Sequence, residues 1–169
     1  MGRKGTIRGF DVGRAVAFAD DPGWVAELQA LPLATSGDVP PDLLAGAVAT
    51  LGRWAKTWPA RPVCVVPLPA PDMTANRVLA EHIARKGRLP LHDVFSWFGG
   101  PVPDDTASTP VVAHLETAIR LAADAELPKG PVLLVASTVR TRWAATVAAA
   151  LLREQGVSQV LVLALHLQP

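Results

Sequence analysis

Three short, almost uninterrupted apolar runs constrain what this chain can fold into: Pro62-Val63-Cys64-Val65-Val66-Pro67, Pro131-Val132-Leu133-Leu134-Val135 and Gln159 to Leu167. Each has the length of a strand and is rich in β-branched residues. None shows the polar alternation of a strand with one wet face, so each reads as a strand buried on both sides. The first is expected at the centre of the sheet. A fourth, weaker strand is expected within Leu89 to Trp97, where Pro90 opens the run and His92-Asp93 interrupt it.

Helical patterns fill the gaps between these runs. Thr74 to Lys86 carries Val78, Leu79, His82 and Ile83 at helical spacing, with Thr74 as the expected cap. Pro110 to Ala125 carries Val111, Val112, Leu115, Ile119 and Leu121, and Arg142 to Gln155 is an Ala-rich helix closed by Gly156. Strands separated by helices predict an α/β fold: a parallel open sheet of about four to five strands, flanked by helices and joined by right-handed crossovers.

The first third of the chain reads differently. Asp11 to Ala19 and Gly23 to Leu31 have apolar residues at helical spacing, broken by Asp20-Asp21-Pro22-Gly23, which predicts a helical hairpin. After a loop from Leu31 to Val39, Pro40-Pro41-Asp42 opens a longer helix with Leu43, Leu44, Ala47, Val48, Leu51 and Trp54 on one face. It should end near Trp58-Pro59. The expected organisation is thus a basic flexible leader over 1–10, a helical segment over 11–60 packed on the core, and the α/β core over 61–169.

With 169 residues, half of them hydrophobic, the chain is sized for one domain with a sizeable core. No apolar run is long enough to span a membrane, and no membrane partner is expected. The lone Cys64 allows no internal disulfide and no thiolate cluster, which fits a reducing cytoplasm. His82, His92, His114 and His166 show no metal-ligand spacing, so neither a metal nor another cofactor is expected. Formal net charge is +1, so any surface for an anionic partner must be local.

The site is expected where open α/β sheets bind ligands, outside the carboxyl ends of adjacent strands at a reversal of strand order. If the Arg61–Val66 and Val132–Ala136 strands are neighbours, the loops after them form that crevice. The later loop, Ala136-Ser137-Thr138-Val139-Arg140-Thr141-Arg142, reads as a hydroxyl-rich turn leading to a helix N-terminus, whose free N–H groups and positive dipole end suit a phosphate. The candidate ligand-binding residues are Ser137, Thr138, Arg140, Thr141 and Arg142, joined by Arg77 from the earlier loop. The three hydroxyls also suit plain capping.

This layout is similar to type I phosphoribosyltransferases. A more specific resemblance rests on four stretches in order: Asp11-Val12-Gly13-Arg14-Ala15-Val16 with Asp20-Asp21-Pro22-Gly23-Trp24; Arg61 to Pro67; Gly87-Arg88-Leu89-Pro90-Leu91; and Gly130 to Val135 with Trp143, Thr146 and Val147. From Asp11 onward the chain resembles the C-terminal phosphoribosyltransferase-like region of actinobacterial RecQ-like DNA helicases. The resemblance implies a turn that wraps a ribose 5-phosphate and two adjacent acids that hold the ribose hydroxyls. Those acids fall at Ala136 and Ser137, and a tight-turn glycine falls at Arg142. The earlier loop, where relatives are Arg-rich, holds three prolines and Asp72, leaving Arg77 as its one useful cation.

No G-x-x-x-x-G-K-[ST] phosphate loop occurs, so this chain alone is not an ATP-driven motor. The expectation is a non-catalytic accessory module, attached to upstream helicase domains or derived from such a protein, that contacts DNA or a repair protein. The alternatives are an active transferase or a nucleotide- or sugar-phosphate-binding regulator, and a purely structural interaction domain. Between Glu126 and Glu154 there is no acid, and Lys129, Arg140, Arg142 and Arg153 suggest one basic patch. Among the aromatics, Trp97-Phe98 beside Gly99-Gly100 is the best candidate for stacking on a base.

Overall fold

The computed structural model describes residues 11–18, 21–31, 38–102 and 108–168. The leader over 1–10, most of the 31–39 loop and residues 103–107 lie outside the described residues. In chain order the elements are β1 (Val12–Phe18), α1 (Val25–Ala30), α2 (Pro41–Trp54) with a single 3-10 turn (Ala55–Thr57), β2 (Cys64–Pro67), α3 (Thr74–Gly87) and β3 (Phe95–Trp97). There follow α4 (Ser108–Ala118), β4 (Ile119–Leu121), β5 (Val132–Val139), α5 (Arg142–Glu154) and β6 (Val160–Leu167).

Four strands form one sheet in the order β1-β6-β5-β2, and all three pairings are parallel. Every residue of β2 and the first five of β5 are buried, as their unbroken apolar character requires. Side chains of β5 and β6 alternate between two cores. Leu134, Val162 and Ala164 join Leu115 of α4 and Ala148 and Leu152 of α5 on one face. Leu133, Leu161 and Leu163 join Leu43 of α2 and Leu79 and Ile83 of α3 on the other. The fold is α/β, a parallel sheet between helical layers.

The segment expected to be the first helix is instead β1. It contains Gly13 and the β-branched Val12 and Val16, all weak in a helix, and it pairs along the length of β6 from Val12 opposite Leu161 to Phe18 opposite Leu167. An exposed β6 edge would leave a row of backbone groups unpaired, so tertiary pairing overrides the helical spacing. Asp11 fastens the start of the strand: its Oδ2 accepts from the Val160 N–H at 2.7 Å and from Arg153 Nη2 at 2.9 Å. Residues 11–60 are therefore not a helical segment laid on a finished core, because they supply an edge strand of the sheet.

Three smaller expectations also change. β2 ends the four-stranded ladder rather than sitting at its centre. Its far edge meets Leu91 through one parallel bridge from Val65, where Val65 N–H donates to Pro90 O and His92 N–H to Val65 O, each at 2.9 Å. The helix expected over Pro110 to Ala125 stops at Ala118, because Ile119–Leu121 pairs antiparallel with β3 in a separate two-stranded sheet. Thr74 does not cap α3; Asp72 does that work from outside, its Oδ1 accepting the Thr74 N–H at 2.9 Å. Hydrogen bonds from the Thr74 hydroxyl and N–H hold the Asp72 carboxyl below its usual pKa.

Cys64 lies wholly inside the core, and burial pushes its thiol up to about 11. It is therefore a small hydrophobe rather than a nucleophile. Among the described residues no helix is long and apolar enough to cross a membrane.

Candidate functional site

From β2 the chain crosses through α3 to Leu91 on one side and later returns in β5 on the other. Strand order thus reverses between β2 and β5, which is the switch point the sequence pointed to. The strands run Cys64 opposite Val132 to Pro67 opposite Val135, and the Leu68 N–H extends the ladder to Val135 O at 2.7 Å.

The residue that dominates this point is Asn76, in the first turn of α3. Its side chain is 2% exposed. Nδ2 donates to Leu68 O at 2.7 Å, and Oδ1 accepts from the Ser137 N–H at 2.7 Å. One amide thereby ties the end of β2 to β5 and consumes two backbone groups at the mouth of the crevice. In open α/β proteins this is where a ligand would find free backbone groups; here one acceptor and one donor are satisfied from within. Asn76 was not singled out in the sequence, but it had a signal. It stands at i−3, i−4 and i−7 from Leu79, Ala80 and Ile83, so a polar amide lies on the buried face of an amphipathic helix.

The expected site residues separate into three groups. Ser137 and Thr138 are half-buried and belong to β5 rather than to a turn, with Thr138 paired to His166 in β6. Only Arg140 and Thr141 connect β5 to α5. Arg140, Thr141 and Arg142 do cluster at the exposed start of α5. Thr141 has N-cap backbone geometry, yet its side chain makes no cap hydrogen bond, and the first turn carries no acid. Neither Arg140 nor Arg142 is ion-paired among the described residues. This end of α5 therefore presents uncompensated positive charge, from two guanidiniums and the helix dipole. Arg77 is committed elsewhere, since its Nε meets Asp93 Oδ2 at 2.6 Å.

The expected single basic patch is also divided. Arg142 and Arg153 sit at opposite ends of α5, about 16 Å apart along the axis at 1.5 Å per residue, and Arg153 is paired with Asp11. At a Debye length of about 8 Å in physiological salt, the two ends act separately on solvent charges. Of the aromatics, Trp54 is buried and edge-on to Trp58, and Trp97 donates its indole N–H to Gly100 O at 3.2 Å. Phe98, at 62% exposed, is the one of this pair available for stacking.

His166, set aside as a metal ligand on its spacing, is the second buried polar residue near this end of the sheet. It lies near the end of β6 between Ala17 and Thr138, 7% exposed, with Nε2 sealed from solvent and lacking a partner among the described residues. Burial lowers its pKa below the ordinary 6.5. Below that pH the unfolded chain takes up a proton that the folded chain resists, so stability falls as pH drops from 6.5 through the lower folded value. His82, lowered by burial and then by Lys86 and Arg85, acts in the same direction. Denaturant unfolding between pH 7 and 5 should show this loss. His166→Gln should flatten the slope, and an unchanged slope would show that His166 is not its source.

Neither a scan against protein-family models nor a search among curated proteins found a match to this sequence.

Proposed function

We propose that this chain is a non-catalytic phosphoribosyltransferase-like accessory module, part of or related to a RecQ-like DNA helicase, working in DNA repair or recombination in the cytoplasm. The observation that carries the reading is the Asn76 clasp. A transferase needs open backbone donors and acids at its switch point, whereas Asn76 takes up one such donor, the Ser137 N–H, and ties it to the Leu68 carbonyl, and positions 136 and 137 carry no carboxylate. The doubly covered parallel sheet supports the scaffold half of the proposal. The lone, buried Cys64 supports the reducing compartment.

The face left for a partner is the start of α5, where Arg140 and Arg142 stand unpaired among the described residues. Duplex DNA is the first partner to test, because phosphates match unneutralised guanidiniums at a helix N-terminus. Fluorescence anisotropy with labelled duplex should give weak binding that declines with salt. The double variant Arg140→Ala/Arg142→Ala should lower the slope of log K against log salt by about 2. Binding that is absent, or indifferent to both changes, moves the proposal to a repair protein as the partner.

Turnover is tested directly. With phosphoribosyl pyrophosphate, magnesium and a panel of nucleobases, no pyrophosphate should be released; release with any base would support an active transferase instead.

A further inference from the structure

A second cleft opens between the C-terminal halves of α2 and α3, beside the amino-terminal end of β5 and away from the switch point. Its volume of about 570 Å³ falls within the range of small-molecule sites. Leu51, Ile83, Leu89 and Leu133 make an apolar lining. Gly52 adds no side chain to it, and a Cβ built there would meet nothing within 4 Å.

The polar groups among the lining side chains are all donors. Arg61 and Lys86 line the cleft, and neither is ion-paired among the described residues. Trp58 also lines it, with its indole Nε1 shut off from water and without a hydrogen-bond acceptor among the described residues. The flanking sequence strengthens the sign. Residues 51–71 hold Arg53, Lys56 and Arg61 and no acid, and 82–92 hold Arg85, Lys86 and Arg88 and no acid. The C-termini of α2 and α3 contribute together about one negative charge, which six cations outweigh.

We propose that this cleft binds an amphiphilic organic anion, of which a medium-chain carboxylate is the simplest form. The hydrocarbon covers the leucine and isoleucine surface, and the carboxylate supplies the acceptors that Arg61 and Lys86 lack. A neutral alcohol of equal length would gain the apolar contact alone, and an organic cation would be repelled.

Calorimetry on the full chain with decanoate, decan-1-ol and decyltrimethylammonium tests this below their micellar concentrations. The expected result is saturable one-to-one binding of decanoate, at least ten-fold weaker binding of the alcohol and none of the cation. Gly52→Leu should abolish decanoate binding while leaving the unfolding temperature unchanged or raised, since leucine suits a helix better than glycine and the space is open. Arg61→Gln/Lys86→Gln should bring the carboxylate down to the level of the alcohol. The proposal is overturned by no saturable decanoate binding up to 1 mM (roughly the weak limit for a pocket ligand), by equal binding of acid and alcohol, or by full binding in Gly52→Leu. None of these outcomes bears on the phosphoribosyltransferase reading, which concerns the other end of the sheet.

Discussion

Asn76→Leu is expected to destabilise the protein by about 3–4 kcal/mol, which at this chain length lowers Tm by about 10 °C. Leucine keeps the volume of the side chain and suits a helix, so packing and propensity lose little. What disappears is the pair of 2.7 Å hydrogen bonds to Leu68 O and from Ser137 N–H. Both backbone groups stay near the protein interior without partners, and each such group costs about 1–3 kcal/mol. Asn76→Asp makes the complementary test. It retains an acceptor for the Ser137 N–H but sets a second oxygen against the Leu68 carbonyl, so its loss should shrink on acidification as the carboxyl becomes a donor. Urea unfolding of both variants measures this. A Leu variant within 1 kcal/mol of the parent would mean that the clasp does not hold the two loops together.

Leu163→Ala should cost about 3–4 kcal/mol, the range for a leucine deleted from a packed interior. Leu163 has no exposure and sits in β6 between Arg14 of β1 and Val135 of β5. Its side chain packs with Leu43 of α2 and Leu79 of α3, while β1 covers the edge of the strand that carries it. A cost of about 1 kcal/mol would mean that the layer of α2 and α3 does not close over β6 at this position. Phe98→Ala, at a side chain mostly in water, should change stability by less than about 0.5 kcal/mol and serves as the control.

The legible parts of the fold were those where local pattern and tertiary demand agree. β2, β5, β6, α2, α3 and α5 combine long apolar runs or a clear 3.6 period with strong punctuation such as Pro40-Pro41 and Gly156, and they stand close to where the sequence put them. Gly156 indeed adopts φ +91°, as the end of a helix requires. β1 was misread because spacing alone cannot register that β6 needs a partner on its open side. The α4–β4 boundary failed for a related reason: Ile119 continues the helical stripe of Val112 and Leu115, and the presence of β3 draws it, with Leu121 two residues on, into a strand.

At the site, adjacency of β2 and β5 was legible, and so was the cationic start of α5. The state of the crevice was not, because it hangs on contacts between residues 76 and 137, far apart in the chain. Ser137 and Thr138 read as a turn by their hydroxyls, yet pairing with β6 carries β5 on to Val139. Arg77 read as a free cation until Asp93 came within 2.6 Å of it.

The central claim is that the switch point between β2 and β5 is closed to a phosphoribosyl substrate. Isothermal titration of the protein with phosphoribosyl pyrophosphate in the presence of magnesium tests it most directly. No binding heat should be seen; saturable binding that is lost in Arg140→Ala/Arg142→Ala would contradict it.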